Sequence, residues 1–504
     1  MGNTIINQQQ ILKDRGICVI IPTYNNAGTI VDIVTRSLNQ CKDVIVVCDG
    51  CTDNTIELLN ELNTKPIIIN LEKNQGKGTA LKKGFKHALK LGFSYAITLD
   101  GDGQHYPEDI SIMLEANMKY PGALIVGERK NLESVERSAG SKFANSFSNF
   151  WFAIQTAKYL KDTQTGYRLY PLKKLYGLSF LTSRYEAELE LMVFASWHGV
   201  KLVSVPVNVF YPSKEERISH FHPIKDFFRI FLLNTILCFL AVIYGLPIRF
   251  FQFIFSIVRS IYSLLFFVIG SMFVMTPLVY IYLTLGKITE QKKYNLHRIF
   301  NFMAKFVLLY HKIPGIKYKQ NNPYNETFKK PSVIICNHSS HLDLMPLLAL
   351  TEKVIILTAD WVWNNPIYKF AIRNAEFLPA SLGVDAMMPQ LKSLVERGYS
   401  IAIYPEGTRS LDCNKIGRFH QGAFYIAQTL NIDVVPLILY GTGHALPKRG
   451  RRLNKWKIYL KVDKRISPLE LKSFGATTKE QAIFMRDYYK KRYRQIANKI
   501  EQDV

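Results

Sequence analysis

Residues 261–285 read IYSLLFFVIGSMFVMTPLVYIYLTL, without one charged side chain. As a helix rising ~1.5 Å per residue, this run is long enough to cross a hydrocarbon core of ~30 Å. Upstream, residues 230–246 (IFLLNTILCFLAVIYGL) are also uncharged but only about as long as the shortest spanning helices. That segment either spans, lies flat or turns back inside one leaflet. Arg249 and Arg259 lie between the two runs, and cations are disfavoured on an outer membrane face. Gly270 and Pro277 permit a kinked, re-entrant path. The expectation for residues 226–295 is therefore a membrane-embedded helical hairpin, since so long an uncharged run is rare in a soluble core. Two crossings, or none, return the chain to its starting side. The flanking domains, 1–225 and 296–504, are expected to share one compartment.

The chain has 504 residues, enough for two or three domains with full cores. Its formal charge is +24 at pH 7. Lys287, Lys292, Lys293, Arg298 and Lys305 follow the apolar stretch closely, with Lys448, Arg449, Arg451 and Arg452 further on. Basic side chains flanking an apolar segment suit an anionic membrane surface, each worth ~1 kcal/mol there. No nucleic-acid module accompanies the charge, so nucleic acid is not an expected partner. Seven scattered cysteines, an odd number, fit a reducing compartment. Cys48 and Cys51 make a lone CxxC around Asp49, with no second pair to complete a zinc site. The N-terminus, MGNTIINQQQ, is polar and shows no apolar signal core, so the first domain is expected to stay in the cytosol.

The first domain alternates β-branched runs with helical patterns. Residues 17–23 (ICVIIPT) end at a turn with Asn25 and Asn26, and residues 44–48 end at Asp49-Gly50, after which Asn54 and its neighbours can cap a helix. A third run covers 65–70, and a fourth, 95–99, leads into Asp100-Gly101-Asp102. This alternation predicts an α/β fold on a parallel sheet, which binds ligands at the carboxyl ends of its strands. Two carboxylates one residue apart on such a turn can converge on a hard divalent cation, and Gly101 and Gly103 let the backbone bend to allow it. Gly76-Lys77-Gly78-Thr79 resembles a phosphate cradle but lacks the spacing of a P-loop.

Six motifs then follow one another in order: IPTYNN, VVCDGCTDNT, NQGKGTALKKGFKHA, TLDGDGQHYPEDI, TGYR and RYEAELEL. The succession resembles family 2 glycosyltransferases of the GT-A fold, nearest their polyprenyl-phosphate sugar synthase branch, over nearly all of the first 215 residues. The resemblance implies that Pro22, Tyr24, Asp49 and Lys77 line the nucleoside and that Asp100 and Asp102 hold Mg2+ or Mn2+ on the diphosphate. It also implies that Gln104, Arg168 and Glu188 face the sugar or acceptor. Cys48 and Cys51 depart from the family pattern, and the QxxRW signature of processive polysaccharide synthases is missing. Glu186, Glu188 and Glu190 fan out if helical, the reading favoured by the apolar pattern after them, so one of the three, Glu188, is expected in the site. His220, His222, Lys225 and Arg229 form a basic entry to the apolar stretch, suited to interfacial snorkelling or a lipid phosphate.

In the second domain, residues 296–310 place apolar positions in a helical pattern beside Arg298 and Lys305, as an interfacial amphipathic helix would. A strand at 331–336 delivers Asn337-His338-Ser339-Ser340-His341-Leu342-Asp343. On one continuous helix His338 and Asp343 would point apart, so a turn with Ser340 as N-cap must bring them together. Asp343 could then hold one imidazole nitrogen and leave the other as a general base. A strand at 400–404 ends in Pro405-Glu406-Gly407-Thr408-Arg409-Ser410, where the guanidinium can grip a phosphate, and residues 433–440 form another strand. NHSSHLD, EGTRS and VVPLIL together resemble the lysophospholipid acyltransferase family, which includes 1-acylglycerol-3-phosphate acyltransferases, over about residues 296–460. The resemblance assigns proton abstraction to His338, its orientation to Asp343, and acceptor binding to Glu406, Gly407, Thr408 and Arg409. Gln421 stands where many members have Lys. The final residues, 477–502, read as a charged helix packed on the domain.

The combined expectation is a fused enzyme at the cytoplasmic (inner) membrane with both catalytic domains facing the cytosol. It would move a sugar from a nucleotide-sugar to a lipid or polyprenyl-phosphate acceptor, and an acyl group from acyl-CoA or acyl carrier protein to a hydroxyl. The alternative is an acyltransferase whose first domain only binds a sugar-bearing ligand.

Overall fold

A computed structural model of the chain describes residues 2–130, 139–178, 182–210, 223–450 and 452–501. The chain divides into two compact units, one of Met1–Phe253 with Asn498–Val504 and one of Ile254–Ala497.

The first unit is built on a seven-stranded sheet of β1 (Ile17–Thr23), β2 (Val44–Asp49), β3 (Ile67–Leu71), β4 (Tyr95–Thr98), β5 (Leu124–Arg129), β6 (Arg168–Pro171) and β7 (Leu202–Val207). Its order is β3-β2-β1-β4-β6-β5-β7, parallel except for β6, which runs against both β4 and β5. Alternate residues of β1 enter opposite cores. Cys18 and Ile20 pack with the helix Lys77–Lys90, whereas Ile17, Val19 and Ile21 pack with the helices Ile30–Gln40 and Ile110–Lys119. A strand buried on both faces needs a continuous apolar run, and ICVIIPT supplies one. The carboxyl ends of β2 and β4 carry Asp49 and the turn from Asp100 to Gly103.

The second unit holds another seven-stranded sheet: β8 (Ile316–Asn321), β9 (Ser332–Cys336), β10 (Val354–Thr358), β11 (Leu378–Pro379), β12 (Ser400–Ile403), β13 (Asp433–Tyr440) and β14 (Trp456–Val462). The order is β11-β10-β12-β9-β13-β14-β8, with β13 and β14 antiparallel. Because β9 and β12 are parallel neighbours, the segments that follow them emerge at the same sheet edge. The closing helix, Thr478–Glu501, covers one face, and its buried Tyr489 donates to the Ile335 carbonyl at 2.7 Å.

The apolar stretch corrects the expected hairpin. Phe228–Thr284 is one continuous helical run of 57 residues, about 85 Å of contour at ~1.5 Å per residue. No cluster of turn formers separates its halves. Two π-helical stretches, Ala241–Gly245 and Ile269–Met275, lie just before Pro247 and Pro277. Proline lacks the N–H that a helix needs and clashes with the carbonyl four residues back, and a widened turn absorbs that clash without reversing the chain. Within the first unit, Leu233, Leu237 and Ala241 join the core, and Gly245 lies against the Trp197 ring. Within the second, Val279 and Leu283 join the core. Arg249 donates to the Thr156 carbonyl, and Arg259 donates twice to the Leu453 carbonyl, at 3.1 and 2.7 Å. Both arginines are therefore satisfied by protein backbone. Phe228, Phe250, Phe255, Leu264 and Phe273 are among many large apolar side chains left exposed. His220 and His222 lie outside the described residues.

The amphipathic pattern expected at 296–310 falls on the helix Glu290–Lys305 and a π-helical turn, Phe306–His311. Leu296, His297, Asn301 and Ala304 are buried, whereas Phe302 is exposed. The His297 ring sits between Phe377 and Tyr399, and burial lowers its pKa to about 4. A histidine with a depressed folded pKa stabilises fully above its unfolded value of ~6.5 and loses that contribution as pH falls toward 4, because the unfolded chain takes up the proton first. Melting temperature is expected to fall between pH 7 and 5, and His297→Phe should flatten that slope. An unchanged slope in the variant would contradict the assignment.

Candidate active sites

In the first unit the carboxylate of Asp49 is buried and committed. Its two oxygens accept the backbone N–H groups of Gln75 and Gly76 at 2.8 and 2.7 Å, tying the end of β2 to the turn before Lys77. Gly50, at φ +70°, leaves no room for a side chain, since a Cβ would lie 2.4 Å from the Asn74 nitrogen. Lys77 then opens its helix with the ammonium buried between Asp100 and Glu188, 2.6 Å from Asp100 Oδ1 and 2.8 Å from Glu188 Oε2. Burial opposes charge on Lys77, but the two carboxylates outweigh it and raise its pKa. The Asp100 side chain is partly exposed; desolvation pushes its pKa up, but Lys77 and then His105 outweigh that and hold it below its usual value.

The turn bearing Asp100 and Asp102 is fixed from below. Thr29 Oγ1 donates to the Gly101 carbonyl at 2.6 Å, and Asp102 Oδ1 accepts the N–H of Gln104 at 3.0 Å. Gly166, in the TGYR motif, permits the approach of Asp100, because a Cβ there would lie 2.3 Å from Asp100 Oδ2. Glu186, Glu188 and Glu190 lie on one helix, Glu186–Trp197, as expected. Glu188 joins Lys77, whereas Glu190 accepts from the Thr182 N–H and hydroxyl at 2.9 and 2.6 Å. Arg168, expected to face the sugar or acceptor, is buried instead. Its guanidinium donates to the Glu188 and Thr163 carbonyls at 3.0 and 2.9 Å and lies 3.7 Å from Glu188 Oε1. Pro22 is buried in β1, and Tyr24 and Gln104 are partly exposed at the same sheet edge. Cys48 and Cys51 flank Asp49 and share a hydrogen bond that raises the pKa of Cys48 and brings Cys51 down to about 7.

Among the described residues no cluster of three or more His, Cys, Asp or Glu side chains is arranged to hold a metal. Asp100 and Asp102 remain a two-carboxylate, oxygen-only donor set. That suits Mg2+ or Mn2+, which commonly take one or two carboxylates and complete their shell with substrate phosphates and water.

In the second unit the turn expected after β9 is present. Ser340 and Asp343 form a reciprocal capping box. Asp343 Oδ2 accepts from His338 Nδ1 at 2.8 Å and from the N–H groups of Ser339 and Ser340 at 2.7 and 2.8 Å. The carboxylate is fully buried, and it holds the imidazole with Nδ1 inward and Nε2 free for chemistry. The Tyr404 ring stacks on His338 with centroids 4.1 Å apart. Asn337 exchanges two 2.8 Å hydrogen bonds with the backbone of Leu439, extending the ladder to β13. Glu406 accepts the His338 N–H at 2.8 Å and the Gly417 N–H at 2.7 Å, and the Ser410 N–H reaches the His338 carbonyl at 2.8 Å. The two motifs are thus stitched together through backbone. Glu406, expected to bind the acceptor, spends both oxygens on that stitch, and its pKa is raised by burial. Arg409 is close enough to His341 to help burial lower that imidazole's pKa. Lys448, not assigned from sequence, donates to Thr408 Oγ1 at 3.1 Å and to the Arg409 carbonyl at 2.7 Å, setting a second cation on this loop.

Known proteins match both units of the chain. The family model "Glycosyl transferase family 2" matches residues 18–168, and the model "Acyltransferase" matches 315–440. Over 220 residues the chain is 30% identical to a UDP-N-acetylglucosamine–dolichyl-phosphate N-acetylglucosaminyltransferase of Methanococcus voltae, covering 40% of this chain and 88% of that protein. The chain belongs to glycosyl transferase family 2. It is also 32% identical over 205 residues to a polyprenol monophosphomannose synthase of Mycolicibacterium smegmatis, covering 38% of this chain and 75% of that one. For the second unit, a chloroplastic 1-acyl-sn-glycerol-3-phosphate acyltransferase of Brassica napus is 33% identical over 132 residues, covering 25% of this chain and 37% of its own length. The protein is an enzyme with a glycosyltransferase domain and an acyltransferase domain, and the sheets on which Asp100 and His338 sit are the sheets of those domains.

Two substitutions check these geometries. Gly166→Ala should displace Asp100 and abolish sugar transfer while leaving the melting temperature within a few degrees. Asp343→Asn should lower acyl transfer by about a hundredfold or more, since an orienting carboxylate fixes the working tautomer. Full activity of either variant would refute the corresponding contact.

Proposed function

We propose that the chain is a bifunctional, membrane-associated enzyme of glycolipid assembly. It transfers a sugar from a nucleotide-sugar to a lipid or polyprenyl-phosphate acceptor, and an acyl group from a thioester donor to a hydroxyl, both on the cytosolic side of the cytoplasmic membrane. The observation that carries this reading is the coexistence in one chain of the Lys77–Asp100–Glu188 constellation and the His338–Asp343 pair.

At the glycosyltransferase site a phosphate acceptor is already ionised and needs little help from a base, whereas a hydroxyl acceptor does. Glu188 is bound to Lys77 and lies beside Arg168, so it is poorly placed to take a proton. This favours an acceptor phosphate, in keeping with one relative named for dolichyl phosphate and another named as a polyprenol monophosphomannose synthase. Asp100 and Asp102 would hold a divalent cation, whose chemistry would be to neutralise the diphosphate that leaves. Lys77 already sits at that point and adds positive charge close to it.

At the acyltransferase site His338 Nε2 removes the acceptor hydroxyl proton as the oxygen attacks the thioester carbonyl. Asp343 fixes the ring and stabilises the imidazolium, and the proton passes to the departing thiolate. Arg409 and Lys448 supply positive charge for an anionic group on the acceptor. The exposed apolar side chains of Phe228–Thr284, beside basic residues, suit a helix lying in or against an anionic membrane surface.

The test is a pair of assays on purified full-length protein, with a panel of nucleotide-sugars plus polyprenyl phosphate and with acyl thioesters plus lysolipid. Asp102→Ala should lose sugar transfer and keep acyl transfer, and His338→Ala the reverse, each loss being ~100-fold or greater. If Asp102→Ala changes nothing, the first domain acts only as a binding module.

A further inference from the structure

A cavity of about 550 Å³ opens on the acyltransferase unit behind the loop 406–410. It is lined by Arg418, Phe419 and His420 from the segment after that loop, and by Lys479, Ile483 and Arg486 from the helix Thr478–Glu501. The three helix positions recur at four- and three-residue steps, so a single helix face forms the wall. The volume lies within the ~300–1,000 Å³ of small-molecule sites.

The charge around it is mostly positive. Glu480 turns away to accept the Thr477 N–H at 3.0 Å. Asp487 is shared between Arg486, at 3.1 Å, and Lys490, at 3.0 Å. Arg418 and Lys479 have no carboxylate partner among the described residues. Phe419 and Ile483 add apolar surface between these cations. The cavity is also tied to the catalytic machinery. The His420 N–H donates to the Pro405 carbonyl at 2.7 Å, and the next residue, Glu406, holds the His338 N–H.

Building on the acyl-transfer reading above, we infer that this cavity binds the phosphorylated nucleotide head of a coenzyme A thioester. A concave site with an apolar wall suits a purine, and unpaired Arg and Lys side chains suit its phosphates. An acidic carrier protein would instead call for an open basic surface. Arg409 lies on the catalytic loop and Lys448 is hydrogen-bonded to it, so the donor's phosphates and the acceptor's anion would be held by different cations. Lys479, Ile483 and Arg486 lie beyond the span matched by the acyltransferase family model, so one wall of the cavity comes from outside that span.

Adenosine 3′,5′-bisphosphate is the probe, titrated calorimetrically into the full-length protein. Wild type should bind it, and Arg418→Ala/Lys479→Ala should weaken binding by at least about tenfold with an unchanged melting temperature. The same double variant should raise KM for acyl-CoA by about tenfold and leave KM for an acyl-pantetheine, which has no nucleotide, within about twofold. Wild type that fails to bind the probe, or a variant that binds it equally well, overturns the assignment. So does a variant whose only defect is a raised KM for acyl carrier protein, since the patch would then dock an acidic protein. Because probe binding needs no turnover, binding without any acyl transfer would refute the acyl-transfer reading rather than the site.

Discussion

Each site depends on a buried carboxylate that spends its oxygens on backbone N–H groups. Glu406 joins the His338 loop to Gly417, and Asp49 joins the end of β2 to the turn that starts the Lys77 helix. A buried ionised carboxylate without such donors costs several kcal/mol, so each of these loops has essentially one low-energy arrangement. The catalytic side chains inherit that rigidity. His338 is held through its own backbone N–H and carbonyl as well as through its ring, and Lys77 sits one residue beyond the clamped Gly76. Preorganisation of this kind is what a proton transfer or a charge-stabilising contact requires.

Much of the fold was legible because parallel, doubly covered strands must be apolar throughout. β1, β2, β4, β9, β12 and β13 all announce themselves as β-branched runs that end in polar turns. β8 and β14 do not. IKYKQN carries exposed Lys317 and Lys319 and WKIYLKV carries half-buried Lys457 and Lys461, and the pairing of the two strands is set by neighbours far along the chain. The antiparallel insertion of β6 is a matter of topology, and no local signal encodes it.

The sites were legible in part and for a related reason. The His338–Asp343 pair could be reached from spacing and capping chemistry, both local. The roles of Asp49, Glu406 and Arg168 could not, because a side chain that serves backbone 5 to 68 residues away looks the same in sequence as one that serves a ligand. Lys448 was visible only as part of a basic run, and its contact with the Arg409 loop arises from the turn after β13. The apolar stretch was read correctly for composition and wrongly for path, since Pro247 and Pro277 act through adjacent π-helical turns instead of ending the helix.

Joining two transferases in one chain has a physical rationale in effective concentration, since a lipid product that stays in the same leaflet reaches the second site without being released. The central claim is that both domains act on one glycolipid. Comparative lipid mass spectrometry of cells expressing wild type, Asp102→Ala or His338→Ala tests it most directly. Both variants should lose the same lipid, and the His338 variant should accumulate a form lighter by one acyl group. Loss of two unrelated lipids, or a change confined to the His338 variant, would contradict the account.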